Sequence, residues 1–201
     1  MTRTFQRSPL ALAILALLFE APMHPYRMQQ LIKERGKDHV INVRRRAALY
    51  QTINQLVKAG LIQVKNTGRA EGFPERTIYE ITPAGHQAAV AWMREMISTP
   101  GDEFLEFPAA ISLLPLLTAE DARHQLELRE AALVERIAEI DRNIREYAQG
   151  LPRLFLLEEE LIRTALDAEL GWVRGVIADL ASGALDWNDD WIQGFLPGDE
   201  E

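Results

Sequence analysis

Three consecutive arginines, Arg44, Arg45 and Arg46, stand directly before a segment with helical periodicity. Guanidinium groups form paired hydrogen bonds with phosphate oxygens, and phosphate contacts are expected beside a helix that lies in a DNA groove. The cluster therefore predicts contacts with a nucleic-acid backbone. The alternative is a solvated basic cluster in a loop, because short charge runs are common on protein surfaces.

The helical segment after these arginines carries polar residues away from its apolar stripe. Gln51 and Asn54 lie off the stripe, and amide side chains form paired hydrogen bonds with adenine edges in the major groove. We predict that both read bases, although exposed helix positions are often simply polar. Tyr50 is predicted either to contact phosphate or to pack against its neighbours.

A predicted hairpin farther along the chain supplies more basic residues. These residues are suited to contact backbone phosphates or to enter the minor groove of DNA. The arginine at the hairpin tip is the favoured candidate for such a contact. These residues are Lys65, Arg69 and Arg76, of which Arg69 stands at the tip.

The residue types needed for catalysis are not arranged as a site. The chain has no cysteine, no glycine-rich phosphate loop and no nucleophile elbow, and its four histidines lack metal-ligand spacing. We expect no enzymatic activity, no metal and no cofactor. The absence of cysteine also excludes disulfides and indicates a reducing compartment, for which the cytoplasm is the expected location. The histidines are His24, His39, His86 and His124.

The two halves of the chain carry opposite charge. Residues 1–100 contain 14 lysines and arginines against 7 acidic residues, whereas residues 101–201 contain 8 against 23. The net charge of −8 therefore conceals a basic half and an acidic half. This asymmetry indicates that only the first half contacts phosphate.

The first half has the element order of a winged helix-turn-helix. Three helical segments are followed by two alternating segments, residues 61–65 and 76–81, with a turn-forming stretch between them. Thr82 and Pro83 then begin a fourth helix, which ends before Pro100. In this arrangement the third helix enters the major groove and the hairpin is the wing.

The apolar run of residues 10–19 resembles the core of a signal peptide. Because it is too short to span a bilayer and no small-residue cleavage site follows it, we predict a buried first helix and no membrane association. Ser8 and Pro9 are a suitable N-cap and first residue for that helix.

The second half is predicted to be an antiparallel pair of helices separated by Gly150 and Pro152. Both helices carry apolar stripes, and the first stripe repeats every seven residues. A thin helical pair does not cover so much apolar surface, so a second copy of the chain is expected as a homodimer partner. The residues taken to represent this dimerisation surface are Leu126, Leu133, Ile140, Leu161 and Trp172.

The predicted fold class is mainly helical, an α+β chain in three parts. Residues 1–99 form the winged helix-turn-helix, residues 100–185 form the helical dimerisation region, and residues 186–201 form a loosely ordered acidic tail. In the fourth helix, Trp92, Met93 and Met96 are candidates to line a cleft for a flat apolar effector, the alternative being ordinary core or dimer packing.

Several motifs resemble those of the PadR family of transcriptional regulators. The opening helix and turn correspond to LAILALLFEAPMHPYRM, the third helix to LYQTINQLVKAGLI, and the exit of the wing to RTIYEITPAGHQ. The second half is similar to the longer, virulence-activator type of member through EFLEFPAAISLLPLL and ALDW. Pro25 departs from the usual glycine, and arginine and alanine at 46 and 47 depart from the usual small or hydroxyl residue.

The resemblance implies a homodimer that represses transcription and releases DNA when a small molecule or other signal arrives. From the dimer, with its two recognition helices in successive major grooves, we expect the partner to be double-stranded operator DNA of pseudo-palindromic sequence. Phenolic acids and multidrug compounds are among the effectors of the family. A different class of function is a protein-interaction module that kept the winged-helix shape without DNA binding, since a fold does not fix a function. The arginine cluster beside a polar-faced helix favours the regulator.

Overall fold

The computed structural model describes residues 7–68, 76–101 and 105–188. The chain divides into two compact units between residues 103 and 104. The N-terminal unit contains α1 (Pro9–Glu20), α2 (Pro25–Glu34), α3 (Arg46–Lys58), β1 (Ile62–Gly68), β2 (Arg76–Ile81) and α4 (Pro83–Ser98). The C-terminal unit contains α5 (Glu106–Ser112), α6 (Ala119–Tyr147) and α7 (Leu157–Ser182), with short 3-10 turns at Leu114–Leu116 and Arg153–Phe155. The predicted fold class is confirmed.

Helix α1 is the central element of the N-terminal core. The Ser8 hydroxyl oxygen accepts a hydrogen bond from the Ala11 amide at 3.2 Å, and Pro9 occupies the first turn. The helix has almost no polar face, and half of its side chains are buried, which confirms the predicted buried first helix. Within the described ranges, no helix combines the length and apolar character needed to cross a bilayer. The buried side chains of α1 are Ala11, Ala13, Ile14, Leu15, Leu17 and Leu18.

The loop between α2 and α3 is fixed by a buried polar contact. The Gln29 side chain is only 9% exposed, and its Nε2 donates to the Val43 carbonyl oxygen at 2.9 Å. Val43 is itself fully buried. This contact fixes the position of the backbone directly before α3. It also gives the buried carbonyl a hydrogen-bond donor, and a buried carbonyl without a donor would lower the stability of the fold.

Strands β1 and β2 form an antiparallel hairpin with Ile62 opposite Ile81 and Val64 opposite Tyr79. The register shifts between Val64 and Asn66, as expected for a bulge that bends the strand. The backbone of Tyr79 also exchanges hydrogen bonds of 3.0 and 3.1 Å with Met23. The hairpin is thereby attached to the turn before α2, and β1 continues to Gly68, beyond the predicted end at residue 65.

The junction between the hairpin and α4 is tightly packed. The Thr82 hydroxyl accepts from the Gly85 amide at 3.1 Å and donates to the Gly60 carbonyl at 2.7 Å. A Cβ at Gly85 would collide with the carbonyl oxygen of Leu61. The predicted start of α4 at Thr82 and Pro83 is confirmed.

Helices α6 and α7 form the core of the C-terminal unit. Ion pairs join Arg129 to Glu169, Glu130 to Arg174 and Asp141 to Arg163. Asp141 lies 11 residues after Glu130 on α6, and its partner Arg163 lies 11 residues before Arg174 on α7, so the helices are antiparallel. The buried side chains of this core are Leu126, Leu133, Ile137, Leu170 and Val173.

The side chains predicted for dimerisation divide into two groups. Leu126, Leu133 and Ile140 are buried within the chain, with 3%, 6% and 1% exposure. Leu161 and Trp172 remain 70% and 47% exposed. The heptad stripe of α6 packs inside its own unit, so only the second group is available to a partner chain in this conformation.

Candidate nucleic-acid interface

Helix α3 presents two chemically distinct faces. Leu49, Ile53 and Leu56 repeat at spacings of four and three residues and are buried in the N-terminal core. Gln51 and Asn54, the two predicted base readers, are exposed on the opposite face. The core therefore holds one side of α3 rigidly and leaves the amide side open to a ligand as wide as a DNA groove.

The start of α3 carries positive charge without internal compensation. Arg44, Arg45 and Arg46 are all exposed. Their guanidinium groups make no ion pair or hydrogen bond with any part of the chain that the structure describes. The N-cap residue is Arg45, no side chain caps the helix, and its first turn has no acidic residue. The free amides and the helix dipole add to the positive potential, so this end of α3 suits an anion such as phosphate.

Two other arginines of the N-terminal unit, Arg27 and Arg35, are by contrast paired with carboxylates. Both terminal nitrogens of Arg35 lie 2.6 Å from the carboxylate oxygens of Glu20, and the pKa of Glu20 is lowered chiefly by this hydrogen bond. Arg27 pairs with Glu34 at 2.9 Å. The arginines before α3 thus differ from these neighbours in having no carboxylate partner among the described residues.

The predicted wing contacts are only partly visible. The Lys65 ammonium lies 3.2 Å from the Glu80 carboxylate. A hydrogen bond from Gln63 and then one from Lys65 lower the pKa of Glu80. Arg76 begins β2, whereas Arg69 lies outside the described residues. Lys65 must therefore share its charge between Glu80 and any phosphate.

Tyr50 connects α3 with the hairpin. Its side chain is 44% exposed. The pKa of Tyr79, on β2, is raised by burial and secondarily by the nearby Tyr50. Tyr50 therefore lies at the side of α3 that faces the wing, where a phenol can reach either a phosphate or its neighbour.

Lys58 is a further residue of this surface that the sequence analysis did not single out. It is exposed in the last turn of α3, seven residues after Gln51 and four after Asn54. This spacing puts the three side chains on one helix face. The sequence alone could have indicated this residue, because its spacing from the two predicted base readers places it on their helix face.

The three predicted effector residues on α4 lie in two different environments in the structure. Trp92 is half-buried and packs against the N-terminal core. Met93 and Met96 instead line an open apolar groove of about 760 Å³ between α1 and α4, together with Phe19 and Val90. Among the described residues, no group of three or more His, Cys, Asp or Glu side chains is placed to hold a metal ion.

Comparison with known families matches the N-terminal half of the chain. Residues 14–91 match the model of the transcriptional regulator PadR-like family, which confirms the predicted resemblance. No curated protein matches the chain in sequence.

Solved structures extend the likeness to both units. Bacillus subtilis PadR in complex with operator DNA has a TM-score of 0.67 and 16% identity, covering 88% of this chain and 99% of that one. PadR of the same organism in complex with p-coumaric acid has a TM-score of 0.67, 16% identity and coverages of 86% and 98%. The Vibrio cholerae virulence activator AphA has a TM-score of 0.64, 21% identity and coverages of 86% and 98%. At these identities the similarity establishes the fold.

Proposed function

We propose that this chain, whose residues 14–91 match the PadR-like family, is a sequence-specific DNA-binding transcriptional repressor that acts as a homodimer and responds to a small-molecule ligand. One observation carries the proposal. Three exposed arginines without carboxylate partners in the described chain stand at the uncapped start of α3, beside a face that displays Gln51 and Asn54. This arrangement combines phosphate binding with base recognition, as a major-groove helix requires.

In the proposed complex α3 lies in the major groove. Arg44, Arg45 and Arg46 bind the backbone phosphates at the start of the helix, and Gln51 and Asn54 hydrogen-bond base edges. Tyr50 contacts an adjacent phosphate. The wing supports this position from the backbone or the minor groove, through Lys65, Arg69 and Arg76.

The homodimer is proposed from exposed apolar surface in the C-terminal unit. Leu154, Leu161 and Trp172 are 69%, 70% and 47% exposed. Large apolar side chains exposed to this degree are expected at an association surface. Two copies related by two-fold symmetry would present their α3 helices to successive major grooves, about 34 Å apart on a pseudo-palindromic operator.

The ligand response is proposed for the surface near α4. A neighbour of the same fold was solved with p-coumaric acid. Here Met93 and Met96 line the groove beside α1, and Trp92 packs behind them. A ligand that favours a different separation of the two DNA-binding units would weaken operator binding by shifting the conformational equilibrium. The proposed repressor is cytoplasmic, acts by binding rather than catalysis, and contains no metal or cofactor.

The test is binding of purified protein to the DNA upstream of its own gene across a salt series. We expect tight binding that weakens with salt, with log K against log salt falling by about 0.9 for each phosphate contact. Replacing Arg44, Arg45 and Arg46 together with alanine is expected to weaken binding and flatten that slope. The matched control removes three arginines of α6, Arg123, Arg142 and Arg145, and should leave the slope nearly unchanged.

Failure of the intact protein to bind any DNA at low salt would contradict the proposal and favour a protein-interaction module. Binding with the same slope in the arginine variant and in wild type would contradict the role of the cluster. Preference for promoter over random DNA then tests sequence specificity separately from phosphate binding.

A further inference from the structure

The described part of the hairpin carries one acidic side chain, that of Glu80 on β2. Strand β1 contains residues 62–68 and β2 contains residues 76–81, and within these two strands only position 80 is acidic. Glu80 stands directly across the ladder from Gln63. A carboxylate on a hairpin that is proposed to approach DNA opposes that approach, because phosphates carry the same charge. The contacts of Glu80 therefore bear directly on how the wing binds.

Two side chains of β1 hold this carboxylate in place. The Gln63 Nε2 donates to Glu80 Oε1 at 2.9 Å, and the Lys65 ammonium lies 3.2 Å from Glu80 Oε2. The lowered pKa of Glu80 reflects both contacts, so its side chain is ionised at neutral pH. The Glu80 side chain is 27% exposed and that of Lys65 is 51% exposed. The pair thus lies at the surface, where an external anion can reach the ammonium.

The ion pair between Lys65 and Glu80 matters more for binding than for stability. Exposed ion pairs stabilise a fold only slightly, because water screens the charges and both side chains lose conformational freedom. The pair does, however, occupy the Lys65 ammonium with an anion of the protein itself. The arginines before α3 have no such partner among the described residues. The two parts of the proposed interface therefore differ in how readily their cations can bind phosphate.

Glu80 and a DNA phosphate compete for the same ammonium. A phosphate oxygen bound to Lys65 would lie about 2.8 Å from its nitrogen. Because the Glu80 carboxylate lies 3.2 Å from that nitrogen, the two anions would be no more than about 6 Å apart. At that separation two negative groups repel each other even at a protein surface. Binding of the phosphate therefore requires Lys65 to turn away from Glu80.

We propose that Glu80 attenuates DNA binding by the wing, because it holds Lys65 and repels the phosphate that would replace it. Gln63 is a positioning residue that keeps the carboxylate turned toward the ammonium. The inference rests on the proposed DNA binding and adds a residue that opposes it. Since the competition involves only the backbone, it acts equally on every DNA sequence.

The test variant is Glu80→Gln, which removes the charge but keeps the size of the side chain and an oxygen that can accept from Gln63. We expect binding to promoter DNA and to random DNA to tighten by the same several-fold factor. The plot of log K against log salt should steepen by about 0.9, which is an additional loss of about 3.5-fold in affinity between 50 and 200 mM salt. In a Lys65→Met background, Glu80→Gln should leave the slope unchanged, because the ammonium that makes the new contact is gone.

The matched control is Glu130→Gln on α6. The Glu130 side chain is 30% exposed and lies 2.6 Å from the Arg174 guanidinium. Its replacement therefore also removes one negative charge and releases one cation, but in the C-terminal unit. This control should leave the salt slope unchanged.

The possible outcomes separate this inference from the proposed function. An unchanged slope in Glu80→Gln, when wild type binds DNA, would overturn the inference and leave the proposed function intact. An equal gain in Glu130→Gln, or a steeper slope that persists without Lys65, would also overturn it. Absence of DNA binding at low salt in both wild type and Glu80→Gln would contradict the proposed function, and the inference with it.

Discussion

At the scale of single residues, the basic side chains of the N-terminal unit differ in their partners. Arg27 and Arg35 are held by carboxylates, while Arg44, Arg45 and Arg46 have none among the described residues. Exposed ion pairs contribute little to stability. The main consequence of the pairing is therefore which cations remain available to bind an external anion. These three arginines lie at the end of α3 where the helix dipole also favours an anion.

The two amides on α3 give a residue-scale prediction about specificity. We expect Gln51→Ala or Asn54→Ala to reduce discrimination between the operator and a base-pair variant of it by about 1–3 kcal/mol, because each amide is proposed to form a paired contact with one base. The salt slope should stay the same, since no phosphate contact is lost. The measurement is competitive binding with operator variants.

The control for that experiment is Gln87→Ala, which removes an exposed amide from α4. It should change neither affinity nor specificity. A uniform loss of affinity for all sequences in the α3 variants would show that these amides contact the backbone and not the bases.

At the scale of elements, the orientation of α3 depends on Gln29. Its side chain links α2 to the Val43 carbonyl at 2.9 Å. We expect Gln29→Leu to lower the free energy of unfolding by about 1–3 kcal/mol, because the buried carbonyl loses its donor. Operator affinity should fall as well, because the backbone before the arginines is no longer fixed.

The matched control for Gln29 is Gln30→Leu on the same helix. Gln30 makes only an exposed 3.4 Å contact with the Tyr26 hydroxyl, so its replacement should change stability by no more than a few tenths of a kcal/mol. Denaturant unfolding of both variants, followed by DNA binding, makes the comparison. Equal losses in the two variants would show that the buried contact is not responsible.

The junction of the hairpin with α4 gives a second element-scale prediction. Gly85→Ala should destabilise the protein by about 1–3 kcal/mol or more, because the new methyl group meets the Leu61 carbonyl. Gly175→Ala, on α7, has no neighbour within 4 Å and should stabilise it by about 0.5–1 kcal/mol. Thermal unfolding distinguishes these outcomes, and a stable Gly85→Ala protein would contradict the tight junction.

At the scale of the whole molecule, the proposed dimer depends on apolar side chains that the helical pair leaves outside. Leu161→Glu is expected to convert the dimer into monomers at micromolar concentration, because it introduces a charge into the apolar contact. Analytical ultracentrifugation measures the change, and circular dichroism checks that the helices remain. Leu161→Met, which keeps the apolar contact, should remain dimeric. A dimeric Leu161→Glu protein would exclude this surface as the interface.

Much of the fold was predictable because it rests on local signals. Ser8 with Pro9 and Thr82 with Pro83 start helices through contacts within a few residues of the chain. The apolar periodicity of α3 and the alternation in the hairpin are readable from sequence because the direction of each side chain follows from its position along a helix or a strand. Charge asymmetry and the arginine cluster are likewise properties of composition and order, so the candidate interface was predictable to the level of residue types.

Tertiary structure decided which partner each side chain meets. The heptad residues Leu133 and Ile140 pack within their own chain, whereas Leu161 remains exposed. Lys65 is held by Glu80 across the hairpin, and Trp187 is fixed to a carbonyl 70 residues away. The physical reason is that periodicity defines a face but not what covers it. Contacts between distant segments depend on how the elements pack together.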